Sequence, residues 1–175
     1  KGYVDWQGFQ PRSHALFDIA DGPVIKGLGY AERLVLTVAP WKVPMEQLRW
    51  GRYLSEADYL VWIELHGAPA RQWVWYNGVP VEGAVIGDEA IHLPQLGLHL
   101  QFSQSATLEA EKKIFNVVRS LVPYLHGFNR VVPRFFLYAN EHKWRSRGKL
   151  FERDEVKSEG WAIHELVDFT RAEEV

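Results

Sequence analysis

The sequence predicts an all-β protein: a closed antiparallel barrel with one short helix, with a two-sheet β-sandwich as the rival arrangement. Three observations carry this. Short segments alternate apolar and polar residues with the period of two that a strand imposes. Turn residues separate them at close, regular spacing, as in sandwiches and barrels. Aromatic residues reach 14%, with eight Trp, seven Tyr and nine Phe in 175 residues, and each buries about 150–250 Å² when it packs.

The first strand signal is GYAERLVLTV, Gly29 to Val38. Tyr30, Glu32, Leu34, Leu36 and Val38 fall on one face; Ala31, Arg33, Val35 and Thr37 fall on the other. Pro40 and Pro44 bracket Trp41 in a loop, since proline cannot supply a ladder N–H. Gln47 to Leu54 and Tyr59 to His66 form a hairpin across the polar turn Ser55–Asp58. Gln72 to Tyr76 follows, with Trp73 and Trp75 separated by one residue and therefore on one face. Asn77–Gly78 is the strongest short hairpin signal in the chain and returns it through Val79 to Val85. Ala90 to Leu93 and Gly97 to Ser103 supply two more strands. From Ala106 the pattern reads as strand to about Lys113 and then as a helix ending near His126–Gly127. An extended stretch from Arg134 to Leu150 and a closing strand from Trp161 to Phe169 complete the set. Closing the sheet would remove exposed edges, which favours the barrel.

Composition excludes several classes. The net charge is −2, not the basic balance of a nucleic-acid binder. The cluster His142, Lys143, Arg145, Arg147 and Lys149 is followed at once by Glu152, Asp154 and Glu155, and reads as a solvated strand end. There is no cysteine, so neither disulfides nor thiolate metal sites arise, and the compartment stays open. The seven His are scattered without ligand spacing, no Gly-x-Ser-x-Gly elbow occurs, and no glycine loop leads into a helix to cradle phosphate. No metal or cofactor is expected. No run of about 18 apolar residues occurs, so no membrane span is expected; the protein is expected to be soluble, with the cytoplasm favoured. Residues 1–175 read as one domain. A start at Lys1 rather than Met fits a piece of a longer protein, with a preceding domain or a second copy as the macromolecular partners to consider.

Several polar positions stand out. Glu32 lies on the apolar face between Tyr30 and Leu34, where an unpartnered carboxylate is costly. It is either a structural ion pair with a residue such as Arg52 or an acid or base in a pocket. His164 and Glu165 are adjacent in GWAIHELVDF, so one of the two must enter an apolar surface. His164 shares a face with Ala162, Leu166 and Asp168, whereas Glu165 sits with Trp161, Ile163, Val167 and Phe169. In NEHKWRSRG, Glu141, Lys143, Arg145 and Arg147 share a face, and Glu141 with Lys143 or Arg145 is placed to close a charge network with Glu32 or Glu165. Trp50, Trp62, Trp73 and Trp75, on neighbouring strands, form a candidate aromatic wall for a flat or polyene ligand, although core packing explains them equally.

The segments GLGYAE, LRWGRYL, DYLVWIE, EHKWRSRG and GWAIHELVDF resemble the lipocalin-like superfamily of carotenoid 1,2-hydratase and AttH-type proteins. The likeness covers about half of the chain and is to the later of the two successive barrels common in that superfamily. It implies a lipocalin-like barrel around an apolar, isoprenoid or polyketide-like ligand. It also implies acid–base chemistry as a hydratase, isomerase or cyclase, in which an acid protonates a carbon–carbon double bond and aromatic faces stabilise the cation. Glu32 matches the motif glutamate, and His164 is the second candidate acid or base. Tyr30, Trp50, Arg52, Trp62, Trp73, Trp75 and Glu165 would hold the substrate. No motif here matches the hydratase's own catalytic acid. A lipophilic-ligand carrier and a purely structural domain are the alternatives.

Overall fold

The computed structural model describes residues 4–113, 133, 136 and 139–170. It is built almost wholly from antiparallel strands. β1 (Val4–Asp18) and β2 (Val24–Leu36) form a long hairpin of their own. The remaining strands are β3 (Gln47–Leu54), β4 (Tyr59–His66), β5 (Arg71–Tyr76), β6 (Val79–Pro80), β7 (Val85–Ile86), β8 (Ala90–Leu93), β9 (Leu98–Lys113), β10 (Asn140–Glu152) and β11 (Glu155–Asp168). They make one nine-stranded sheet in the order β6-β5-β4-β3-β11-β10-β9-β8-β7.

The sheet curls into a half-barrel. Trp62 on β4 and Phe102 on β9 have ring centroids 5.9 Å apart, although β3, β11 and β10 lie between their strands. In a flat sheet, four steps at about 4.8 Å each would separate them by roughly 19 Å. Curling encloses a core of Tyr53, Leu60, Trp62, Val74, Ile91, Leu100, Phe102 and Leu150 on the concave face. Two glycines make the curl possible. A Cβ on Gly51 would lie 2.3 Å from Trp62, and one on Gly148 would lie 2.6 Å from Tyr53, so each position accommodates a large ring from another strand. The ladder ends at β6 and β7 rather than closing on itself. The barrel-like, all-β expectation holds, with curvature in place of hydrogen-bonded closure.

The strand boundaries follow the sequence closely where turn chemistry is strong. The β3–β4 hairpin and β8 match their predicted limits, and the Asn77–Gly78 turn has both residues at positive φ, 48° and 83°, as a tight primed turn requires. Val79 to Val85 is not one strand: only Val79–Pro80 and Val85–Ile86 pair. Gly97 to Ser103 and the following segment to Lys113 are one continuous β9, and β11 begins six residues before Trp161. The predicted helix lies outside the described residues. Among the described residues, no helix is long and apolar enough to cross a membrane.

The largest departure from the sequence reading is β1, which that reading did not contain. Its pairing with β2 shifts register between Gln7 and Gln10 and again before Ser13, so bulges around Gly8 and Pro11 mask the period of two. The hairpin lies on the opposite face of the sheet from the core. Trp6 of β1 stacks on Trp75 of β5 at 4.7 Å, and Tyr30 of β2 meets Trp50 of β3 edge-on at 6.3 Å. A smaller cluster of Phe136, Ala139, Val167 and Phe169, with Trp41, Met45 and Leu48, packs at one end of this same face.

Candidate functional site

Strand parity decides which side chains enter the space beneath the hairpin. Odd and even positions of β3, β4 and β11 face oppositely, and their register sets Trp50 opposite Glu165 and Ile63, and Gly51 opposite His164 and Trp62. The row with Trp50 faces the hairpin; the row with Gly51 faces the concave core. Between hairpin and sheet lies a groove of about 720 Å³. Its walls are Trp6, Leu34 and Leu36 from the hairpin, Leu48, Trp50, Ile63, Leu65, Trp73, Trp75 and Val167 from the sheet, and Phe136 and Phe169 at one end. Its polar groups are Asp5, Glu32 and Glu165.

Each carboxylate of the pair Glu32 and Glu165 is held. Glu32 accepts hydrogen bonds on Oε2 from the Trp6 indole N–H and from the Tyr30 hydroxyl at 2.6 Å. Burial, followed by the bond to Glu32, raises the Tyr30 hydroxyl well above its ordinary value, so it stays a donor. Glu165 lies 3.1 Å from Lys143 Nζ, which also reaches Glu141 at 3.0 Å and Glu109 at 3.8 Å. Burial raises the Glu165 carboxyl above the usual carboxylate range despite the attraction of Lys143. Burial works against the Lys143 ammonium, but its bond to Glu141 and the charge of Glu165 outweigh it and strengthen its hold on the proton. The charge network read from NEHKWRSRG is therefore present, centred on Lys143 and joined to Glu165.

Arg52 does not form the predicted pair with Glu32. Its guanidinium lies over the rings of Tyr30, at 4.8 Å, and Trp50, at 5.3 Å. Burial lowers its pKa, and the nearby charges of Tyr30, Glu32 and Glu165 oppose that shift. The carboxylate of Glu32 chose shorter-range donors from its own hairpin, one of them on the strand that the sequence reading did not contain.

The structure brings Tyr30, Glu32, Trp50, Arg52, Trp73, Trp75 and Glu165 to one face and leaves two candidates on the other. Trp62 belongs to the buried core beside Phe102, because it pairs with Gly51 and Val74, one position out of phase with Trp50 and Trp73. The aromatic wall is completed by Trp6 in its place. His164 is buried on the concave side, stacked between Phe102 at 4.6 Å and Trp144 at 5.4 Å. Its Nε2 is 2.9 Å from Ser146 Oγ, which in turn is 2.8 Å from Ser105 Oγ. Burial lowers its pKa to about 4, with Asp88 opposing, so it is a neutral imidazole at pH 7. The sheet separates His164 from the groove, and the two cannot share a ligand there.

A second cavity of about 390 Å³ lies on the hairpin face, lined by Leu28, Arg52, Leu54, Ser55, Glu56, Arg147, Glu159, Trp161 and Ile163. Trp161 was legible as a member of the apolar face of its strand and Arg147 as a member of a charged one, but nothing in the sequence set the two side by side. Trp6 carried a signal in hindsight: the turn residues Asp21–Gly22–Pro23 lie between it and Glu32, as a hairpin tip would. Comparison with known proteins adds no constraint: no family model matches the chain, and no curated protein is significantly similar to it.

Proposed function

We propose that the protein binds an apolar small molecule, isoprenoid or polyketide-like, in the groove between the β1–β2 hairpin and the sheet. The observation that carries this reading is the groove itself, about 720 Å³ and walled by Trp6, Trp50, Trp73 and Trp75. Small-molecule sites typically measure about 300–1,000 Å³ and combine apolar walls with a few placed polar groups. Indole faces lie along a flat or polyene chain at little conformational cost. The resemblance of GLGYAE and GWAIHELVDF to lipocalin-like proteins points the same way.

Titration of tryptophan fluorescence with retinol tests it, since a polyene in the groove would accept energy from four surrounding indoles. Saturable quenching is the expected result. Unsaturable or absent quenching with retinol, and no small molecule retained in native mass spectra of freshly purified protein, would overturn it.

A catalytic reading is favoured by one group, Glu165. Its raised carboxyl faces the aromatic wall, and such an acid can protonate a carbon–carbon double bond while indole faces stabilise the cation. Under this reading Glu165→Gln abolishes turnover of a bound polyene but preserves its binding. If the polyene is recovered unchanged from the unaltered protein, the protein is a carrier.

A further inference from the structure

We propose that the ligand is an acidic amphiphile, its apolar body in the larger groove and its anionic head beside Arg52 and Arg147 in the second cavity. This rests on the groove being a ligand site. The two cavities are consecutive along one track. On β3, Leu48 and Trp50 line the groove, and Arg52 and Leu54 line the second cavity. On β11, Val167 and Glu165 are followed by Ile163 and Trp161 in the same way. On β2, Leu36, Leu34 and Glu32 give way to Leu28. The boundary between them falls between Trp50, in the wall of the groove, and Arg52, in the wall of the second cavity, whose guanidinium lies over the rings of Trp50 and Tyr30. From Leu48 to Leu54 the track measures about 20 Å at 3.3 Å per strand residue, the length of an extended isoprenoid or fatty chain with its head group.

The second cavity sets two arginines, Arg52 and Arg147, and two glutamates, Glu56 and Glu159, into a wall that also holds Leu28, Leu54, Trp161 and Ile163. Arg147 and Arg145 lie over the Trp161 ring at 4.4 Å and 4.8 Å. Among the described residues Arg147 has no carboxylate within ion-pairing distance, and of the two glutamates at this cavity's wall Glu159 is engaged elsewhere. Glu159 is 2.9 Å from Lys149, and Glu56 faces His14 at 4.0 Å. Planar guanidinium groups bind a carboxylate or phosphate through paired N–H donors, so an oxyanion is the complementary head. At the far end of the track Asp5 would repel it, which favours this direction, whereas Glu32 and Glu165 lie midway, next to Arg52.

Retinoic acid and retinol differ only at the head and test the assignment directly. Both are titrated by tryptophan quenching into the unaltered chain and into Arg147→Gln, an exposed substitution that leaves the core untouched. Retinoic acid should bind about tenfold more tightly than retinol, the worth of one charge-assisted contact. Arg147→Gln should erase that preference by weakening retinoic acid far more than retinol. Retinyl phosphate in the same titration distinguishes a phosphate head from a carboxylate, and tighter binding of either acid over retinol supports the inference. Equal affinity for all three ligands, or a preference that survives Arg147→Gln, overturns the head-group assignment while the groove remains a ligand site. Failure of all three to bind removes the groove reading itself, and this inference with it.

Discussion

Trp6 and Trp75, sixty-nine positions apart in the chain, stack at 4.7 Å and pin the β1–β2 hairpin to the sheet. The same Trp6 indole donates to Glu32 across the hairpin, so one residue fixes both the roof of the groove and its carboxylate. The hairpin makes all its ladder bonds internally and none to the nine-stranded sheet, and side-chain packing is what attaches it.

Trp6→Ala should therefore release the roof without unfolding the body. The lost stack and indole bond amount to about 2 kcal/mol. Hydrogen exchange is the measurement. Amides of β1 and β2 should lose protection while those of β3, β4 and β11 keep theirs. Equal loss throughout would mean that the hairpin and the sheet fold as one unit.

Gly51→Ala should be damaging for a different reason. A Cβ there would sit 2.3 Å from the Trp62 ring and 2.8 Å from His164 Cβ. Trp62 is 2% exposed, so its ring has no free space to enter. Overpacking of this kind costs about 1–3 kcal/mol, and urea denaturation should show a lowered midpoint with an unchanged slope. A midpoint equal to that of the unaltered protein would mean that the sheet can flatten at β3.

Most of the nine-stranded sheet was legible because its turns declare themselves: Asn77–Gly78, Ser55–Asp58 and the Pro40–Pro44 loop left little choice of strand limits. Parity along GWAIHELVDF correctly separated His164 from Glu165. What alternation cannot supply is the phase of one strand against the next. Trp50 and Trp62 look equivalent in sequence, but a hairpin register that sets Gly51 opposite Trp62 sends them to opposite faces. Nor could the sequence assign Glu32 its partners, since Trp6 is on a strand whose bulges at Gly8 and Pro11 hide it.

His164 should control the acid limit of the fold. Its folded pKa, about 4, lies below its ordinary value of 6.5, so the folded state binds fewer protons than the unfolded chain between those limits. Its contribution is complete above pH 6.5 and is lost as pH falls toward 4, a change on the order of 3 kcal/mol. His164→Phe keeps a ring between Phe102 and Trp144 and cannot titrate. The variant should lack this limb in a pH series of urea melts, and the unaltered imidazole should show no NMR titration above pH 5. An imidazole titrating near 6.5 would contradict the burial described for it.

Lys143 should show the opposite pH dependence when removed. Its ammonium faces Glu165, Glu141 and Glu109, and Lys143→Met leaves these carboxylates to ionise without it. Glu165 already holds its proton more tightly than usual because it is buried, and losing Lys143 raises it further. A carboxyl with a raised folded pKa favours the folded state at low pH and loses that favour as pH rises through its titration. Lys143→Met should thus be nearly neutral at pH 4 and should cost about 2 kcal/mol at pH 8, below the full penalty of a buried broken pair because Lys143 is partly exposed. Adding Glu165→Gln removes one of the stranded charges, and the double variant should recover much of the loss at pH 8. A penalty independent of pH, or no recovery in the double variant, would mean that Lys143 acts by packing its methylene stem rather than through its contact with Glu165 at the edge of the groove.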